Sequence, residues 1–131
     1  MAQAGVVAVL LPTTTFFLGS DHHARARAMI DQLDLPVALG TDANPGTSPT
    51  VALPFAMNLA ALKLGMTPEE ILTAVTRNAA CAIGEGSCAG QLHPGYWADV
   101  VIWQAKRLSF LPYRLAGSRP GAVFCKGRLV A

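Results

Sequence analysis

Apolar residues enter this chain in blocks whose spacing changes along its length. Gly5-Val6-Val7-Ala8-Val9-Leu10-Leu11 is continuous rather than alternating, and rich in β-branched side chains. That pattern predicts a strand covered on both faces, as in a parallel sheet. Pro12 closes it, and Thr13 to Gly19 reads as a loop. Ser20 is placed to cap a helix over 21–34, on which Ala26, Met29, Ile30 and Leu33 share a face. Pro36 opens a second apolar strand ending near Thr41. Strand, helix and strand in such short order predict a βαβ unit with parallel pairing.

Polar and glycine punctuation marks the next elements. Ser48-Pro49 is a helix start, with a capping hydroxyl and then proline at the first helical position. This helix runs to Leu64 and stops at Gly65, with Pro54 delaying or kinking its early part. Thr67-Pro68-Glu69-Glu70 reads as a capping box. The helix behind it carries Ile71, Leu72, Val75, Ala79 and Ile83 and stops at Gly84. From Gly86 the pattern turns to short β elements. Gly90 to Asp99 is turn-rich, Val100-Val101-Ile102-Trp103 is a strand, and Ala122-Val123-Phe124-Cys125 pairs with Arg128-Leu129-Val130 around Lys126-Gly127 as a hairpin. The chain therefore divides into an α/β part, residues 1–85, and a small β-rich part, residues 86–131.

Composition sharpens this picture. Hydrophobic residues make up 52% of the 131 and charged residues only 14%, against about 25% charged in a typical soluble domain. So apolar a chain reads as a piece of a larger buried structure. The net charge is +2 with basic residues scattered, which gives no footprint for nucleic acid or a membrane surface. Three cysteines (Cys81, Cys88, Cys125) with no CxxC read as buried free thiols in a reducing, cytoplasmic setting. The apolar segment near the start lacks the positive region of a signal peptide, its first basic side chain being Arg25. No run approaches the roughly 18 apolar residues of a membrane helix.

The chemistry concentrates in Gly40-Thr41-Asp42-Ala43-Asn44-Pro45-Gly46-Thr47-Ser48-Pro49, directly after the apolar Val37-Ala38-Leu39. It sets one carboxylate, Asp42, at the end of a buried strand, where barrel enzymes carry catalytic groups. Read alone, the segment is an Asn-Pro-Gly turn with a Ser cap before a helix. Gly46 permits close backbone approach, N–H groups ahead of a helix favour an anion, and Asn44 and Thr47 offer oriented hydrogen bonds. His22 and His23 are adjacent at a predicted helix start and read as solvated. Tyr96, Trp97 and Trp103 read as core of the β-rich part, and Arg77 and Asn78 as hydrogen-bonding residues near the mouth of the strands.

These segments resemble a known family. Val9-Leu10-Leu11-Pro12, Thr41 to Pro49, Met66-Thr67-Pro68-Glu69-Glu70, Val75-Thr76-Arg77-Asn78-Ala79-Ala80, Gly90-Gln91-Leu92 and Ala98 to Trp103 look, in order, like the imidazolonepropionases of the metal-dependent amidohydrolase superfamily. The Asp-x-Asn-Pro-Gly-Thr-Ser-Pro core is the most specific element. The resemblance implies an α/β fold: the C-terminal fragment of a metal-dependent-hydrolase TIM barrel, contributing its last two βα units, plus part of a small flanking β-sandwich. It implies that Asp42 ligates one zinc or iron ion and moves protons, and that Asn44, Gly46 and Thr47 contact substrate. The implied reaction is hydrolysis of 4-imidazolone-5-propanoate, a small molecule, to N-formimidoyl-L-glutamate in histidine breakdown, by a homodimer. The family's other metal-binding and catalytic residues have no counterpart in this chain, so the chain alone is expected to be inactive. Thr13 stands where many relatives carry Gly, and position 43 is Ala. Two alternatives from the residues themselves are a non-catalytic remnant binding a small carboxylate and a small hydrolase using a cysteine.

Overall fold

A computed structural model describes residues 4–115 and 117–131. Strands β1 (Ala8–Leu10) and β2 (Val37–Leu39) pair in parallel, with Ala8 opposite Val37 and Leu10 opposite Leu39. The backbone ladder runs on at both ends, Ala8 N donating to Pro36 O at 2.9 Å and Gly40 N to Leu10 O at 3.1 Å. The parallel βαβ arrangement read from the sequence is thus present, with shorter strands. All of β2 is buried, whereas Val9 at the centre of β1 is 50% exposed. One face of β1 is therefore uncovered, contrary to the two-sided burial its sequence suggests.

Two corrections fall between the strands. Residues 13–19, read as a loop, contain helix α1 (Pro12–Phe17). Pro12 ends the strand and also occupies the first helical turn, where its missing N–H costs nothing. The helix expected over 21–34 is only a short helical stretch from Ala26, of which Ala28–Gln32 is π-helical. Leu33 N donates to Ala28 O at 3.2 Å, five residues back. This wider winding rotates Leu33 off the face it would share with Ala26, and it lies 58% exposed while Ala26 is fully buried. Ser20 accepts from His22 N rather than capping that helix.

Helix α2 (Leu53–Leu64) begins at Leu53, not at Ser48, with Pro54 in its first turn. Gly65 ends it in the left-handed conformation (φ 66°), and Met66 N closes the turn onto Ala60 O. The Thr67–Glu70 capping box forms as read: Thr67 N donates to Glu70 Oε2 at 2.8 Å and Glu70 N to Thr67 Oγ1 at 3.2 Å. Such a cap is worth about 1 kcal/mol. Arg27 reaches across to the same Glu70, its Nη1 donating at 2.6 Å, and pairs with Asp31 on its own segment. The expected single helix to residue 83 is two, α3 (Pro68–Val75) and α4 (Arg77–Ala82), broken at Thr76 (φ −121°, ψ −92°). Ile83 lies beyond the break and is exposed.

Strands β3 (Val100–Trp103), β4 (Pro120–Cys125) and β5 (Arg128–Leu129) form an antiparallel sheet in that order. Lys126 and Gly127 both take positive φ (47° and 78°), the twist that a two-residue hairpin turn needs. Between β3 and β4, helix α5 (Phe110–Tyr113) docks on α2. Fully buried Asn58 of α2 donates its amide to Pro112 O at 2.8 Å, and Leu111 joins a core of Leu10, Val37, Leu39, Met57, Leu64, Met66 and Ile71. Trp103 packs against that core, while Trp97 is exposed, with Lys126 Nζ lying over its ring. The cysteines, read as buried, are not: Cys81 and Cys125 are exposed and Cys88 is half-buried.

Candidate active site

Asp42 follows the C-terminal end of β2 and adopts the left-handed region (φ 52°), which Asp tolerates better than most side chains. Its surroundings hold that conformation. The carbonyl just before it, Thr41 O, accepts two hydroxyls, from Thr13 Oγ1 at 2.6 Å and from Ser48 Oγ at 2.5 Å. Both donors are almost completely buried. Its own carbonyl accepts from Asn44 Nδ2 at 2.6 Å. Its carboxylate is exposed, and Oδ2 accepts from Thr14 Oγ1 at 2.9 Å. Helix α1 and the loop leading to α2 therefore meet at this carboxylate, from positions 28 residues apart in the chain.

Asn44, Gly46 and Thr47 sit in the same turn as Asp42. Asn44 Oδ1 accepts from Gly46 N at 2.9 Å and from Thr47 N at 2.8 Å, while Asn44 Nδ2 bonds Thr47 Oγ1 at 3.0 Å. The two N–H groups expected to be available to an anion are thus taken up within the turn. The helix start behind them lies at Leu53, five residues beyond Ser48, rather than directly at the turn. Gly46 is exposed, and a Cβ there would meet only Asn44 Oδ1, at 3.4 Å.

A mostly apolar cleft of about 310 Å³ opens between α1 and the α2 entry, lined by Thr13, Phe16, Ser48 and Phe55, two of which hold Thr41 O. Phe16 and Phe55 meet edge to face, with centroids 5.4 Å apart. A larger cavity of about 660 Å³ lies at the opposite end of the strands, lined by Gly5, Pro36 and Val37. The Asp42 carboxylate and its hydrogen-bonded cradle lie at the other end. Arg77 and Asn78 belong to this lower cavity, Asn78 Nδ2 donating to Val37 O at 2.8 Å where β2 begins. They are therefore not at the mouth, where the sequence suggested them.

Among the described residues no cluster of three or more His, Cys, Asp or Glu could hold a metal ion. Asp42 fits as one ligand, an exposed oxygen donor of fixed orientation, but a catalytic zinc takes three protein ligands. His22 is exposed; His23 is half-buried rather than solvated, and its Nδ1 has no hydrogen-bond partner. The Cys88 thiol donates to Glu85 Oε2 at 3.0 Å, which pushes its pKa up and away from the thiolate a nucleophile needs.

Missed from sequence were the partners of Asp42. Thr14 and Thr13 lay in a presumed loop, and Ser48 was assigned a capping role it does not play. The Pro12-Thr13-Thr14 sequence, proline at a first helical turn followed by hydroxyls, was the available signal.

The chain belongs to the Amidohydrolase family, whose profile matches residues 2–131. The relatives it matches include the imidazolonepropionase of Bacillus velezensis, 50% identical over 99% of this chain and 31% of that protein. The imidazolonepropionase of Shouchella clausii is 52% identical over 99% of this chain and 29% of that protein. The chain thus spans less than a third of the length of these two relatives. Among solved structures it superimposes on an adenosine deaminase from Xanthomonas campestris with bound zinc (TM-score 0.84, 22% identity, 98% of this chain, 32% of that one). The E. coli guanine deaminase matches similarly (TM-score 0.77, 20% identity, 99% of this chain, 35% of that one). These likenesses carry the fold alone. No helix among the described residues is long and apolar enough to cross a membrane.

Proposed function

We propose that this chain is the C-terminal third of an imidazolonepropionase, a cytoplasmic homodimer that hydrolyses 4-imidazolone-5-propanoate to N-formimidoyl-L-glutamate. The observation that carries the reading is half-identity to imidazolonepropionases over 99% of the chain, with Asp42 clamped at a strand end. On this reading β1 and β2 are the last two strands of a TIM barrel, residues 1–85 belong to that barrel, and residues 86–131 return through a small β-sandwich. The exposed face of Val9 and the exposed Phe17 and Leu62 fit surfaces that other parts of a longer protein would cover.

Asp42 is the ligand this chain would contribute to one zinc or iron ion, the remaining ligands coming from elsewhere in the longer protein. Such an ion supplies Lewis-acid activation of water. With Oδ2 engaged by Thr14, Oδ1 of Asp42 is the oxygen open to such an ion, and the carboxylate would hold the proton lost by a water and pass it to the ring nitrogen as the C–N bond breaks. Asn44, Gly46 and Thr47 form the substrate side of the turn, with Gly46 keeping it low for close approach. The rival reading, a carboxylate-binding remnant, loses its support, because the backbone donors it needs are consumed by Asn44.

The test is a chimera in which this chain replaces the matching C-terminal segment of the Bacillus velezensis relative. The chimera is expected to hydrolyse the imidazolone, and Asp42→Asn to abolish turnover while leaving the fold intact. A folded chimera without activity, or one indifferent to Asp42→Asn, would overturn the assignment.

A further inference from the structure

Among the described residues, Thr14 is the side chain that hydrogen-bonds the Asp42 carboxylate, Oγ1 donating to Oδ2 at 2.9 Å. Like Thr13 beside it, and unlike Thr73 on α3 and Thr76 at the α3–α4 break, Thr14 sends its hydroxyl to a distant segment. Thr73 and Thr76 turn their hydroxyls back onto the carbonyls four residues earlier, Glu69 O at 2.9 Å and Leu72 O at 2.6 Å, the usual local bond of such a residue. For Thr14 the corresponding carbonyl, Leu10 O, already accepts from Gly40 N. Its hydroxyl instead crosses to Asp42 Oδ2.

The helix that carries Thr14 is fixed on two sides. Thr13, just before it on α1, is 2% exposed and ties the helix to Thr41 O. Phe16, one turn on, packs edge to face on Phe55 of α2. A short exposed helix would otherwise place its hydroxyl loosely; these contacts give Thr14 a defined position. We infer that Thr14 is a positioning residue for Asp42: it occupies Oδ2, fixes the carboxylate's rotation, and leaves Oδ1 as the oxygen open for ligation. This rests on the proposed role of Asp42. Partners of this kind orient a ligand, and their loss typically lowers metal affinity or activity about 10- to 100-fold.

The test uses the chimera, with Thr14→Val to remove the hydroxyl at constant shape and Thr14→Ser to retain it. Zinc affinity is measured by competition with a chelator, alongside kcat, KM and the unfolding temperature. Thr14→Val should weaken zinc binding and lower kcat about 10-fold or more, with KM and unfolding temperature unchanged, and Thr14→Ser should behave as the parent. The inference is overturned if Thr14→Val keeps parental zinc affinity and kcat while Asp42→Asn loses both. It is equally overturned if the Val and Ser variants fail together with a fall in unfolding temperature. If Asp42→Asn itself keeps zinc and turnover, the function assigned to Asp42 falls, and the role of Thr14 with it.

Discussion

Asn58 joins the two parts of the chain, and its removal has a cost that can be worked from its contacts. The residue is wholly buried on α2. Its amide nitrogen faces three carbonyls of the α5 segment: Pro112 at 2.8 Å, Arg114 at 3.3 Å and Leu111 at 3.4 Å. The bonds to Leu111 and Pro112 are buried, and that to Arg114 is partly open to solvent. Asn58→Ala takes the buried Pro112 O's donor away, at about 1–3 kcal/mol for a fully orphaned group, while Leu111 O keeps the Ser118 hydroxyl at 3.2 Å. A small cavity adds to this, and the expected loss is about 2–4 kcal/mol. Asn58→Asp keeps the volume but turns a carboxylate onto the same carbonyls, so it should be less stable still. Urea unfolding followed by circular dichroism reads this directly. With an m-value of about 2 kcal/mol/M, the Ala variant's midpoint should fall by about 1–2 M. An Asp variant as stable as the Ala variant, or an Ala variant within about 0.5 kcal/mol of the parent, would refute the reasoning.

Two further perturbations probe local packing and charge. A Cβ at Gly86 would lie 2.6 Å from Cys81 Sγ and 3.2 Å from Cys81 Cα, so Gly86→Ala should destabilise by about 1–3 kcal/mol, and Cys81→Ala should relieve much of that in the double variant; additive unfolding energies would contradict the contact. The hydrogen bond from Arg27 holds the Glu70 carboxyl below its ordinary pKa, so its contribution to stability is complete above roughly pH 4.3 and is lost as pH falls through the lower folded value. Glu70→Gln should therefore be less stable than the parent near neutrality, with the gap closing in acid; a gap independent of pH between 7 and 3 would contradict that sign.

What the sequence disclosed were features encoded within a few residues. The Thr67–Glu70 box, the Gly65 stop and the Lys126-Gly127 turn are each specified by residues at fixed short offsets, and each forms. The parallel pairing of β1 and β2 followed from continuous apolar runs around a connecting segment. Helix α1 was hidden because a run of three threonines has poor helix propensity; its formation depends on contacts such as Thr13 to Thr41 O and Phe16 on Phe55. Tertiary contacts likewise decided Ser48, whose hydroxyl goes to Thr41 O instead of a helix N-terminus. Asp42 was legible as a candidate because it follows an apolar strand. Its partner Thr14 was not, since a pairing across 28 residues leaves no local pattern. The Asn44 side chain showed the reverse failing: its turn was recognised, but not that the turn would consume the donors of Gly46 and Thr47.

The most direct measurement is the anomalous X-ray signal of zinc in crystals of the chimera. The expected result is a single peak about 2.0–2.2 Å from one carboxylate oxygen of Asp42, with Thr14 on the other. A metal held entirely by residues outside this chain, with Asp42 turned away from it, would contradict the account.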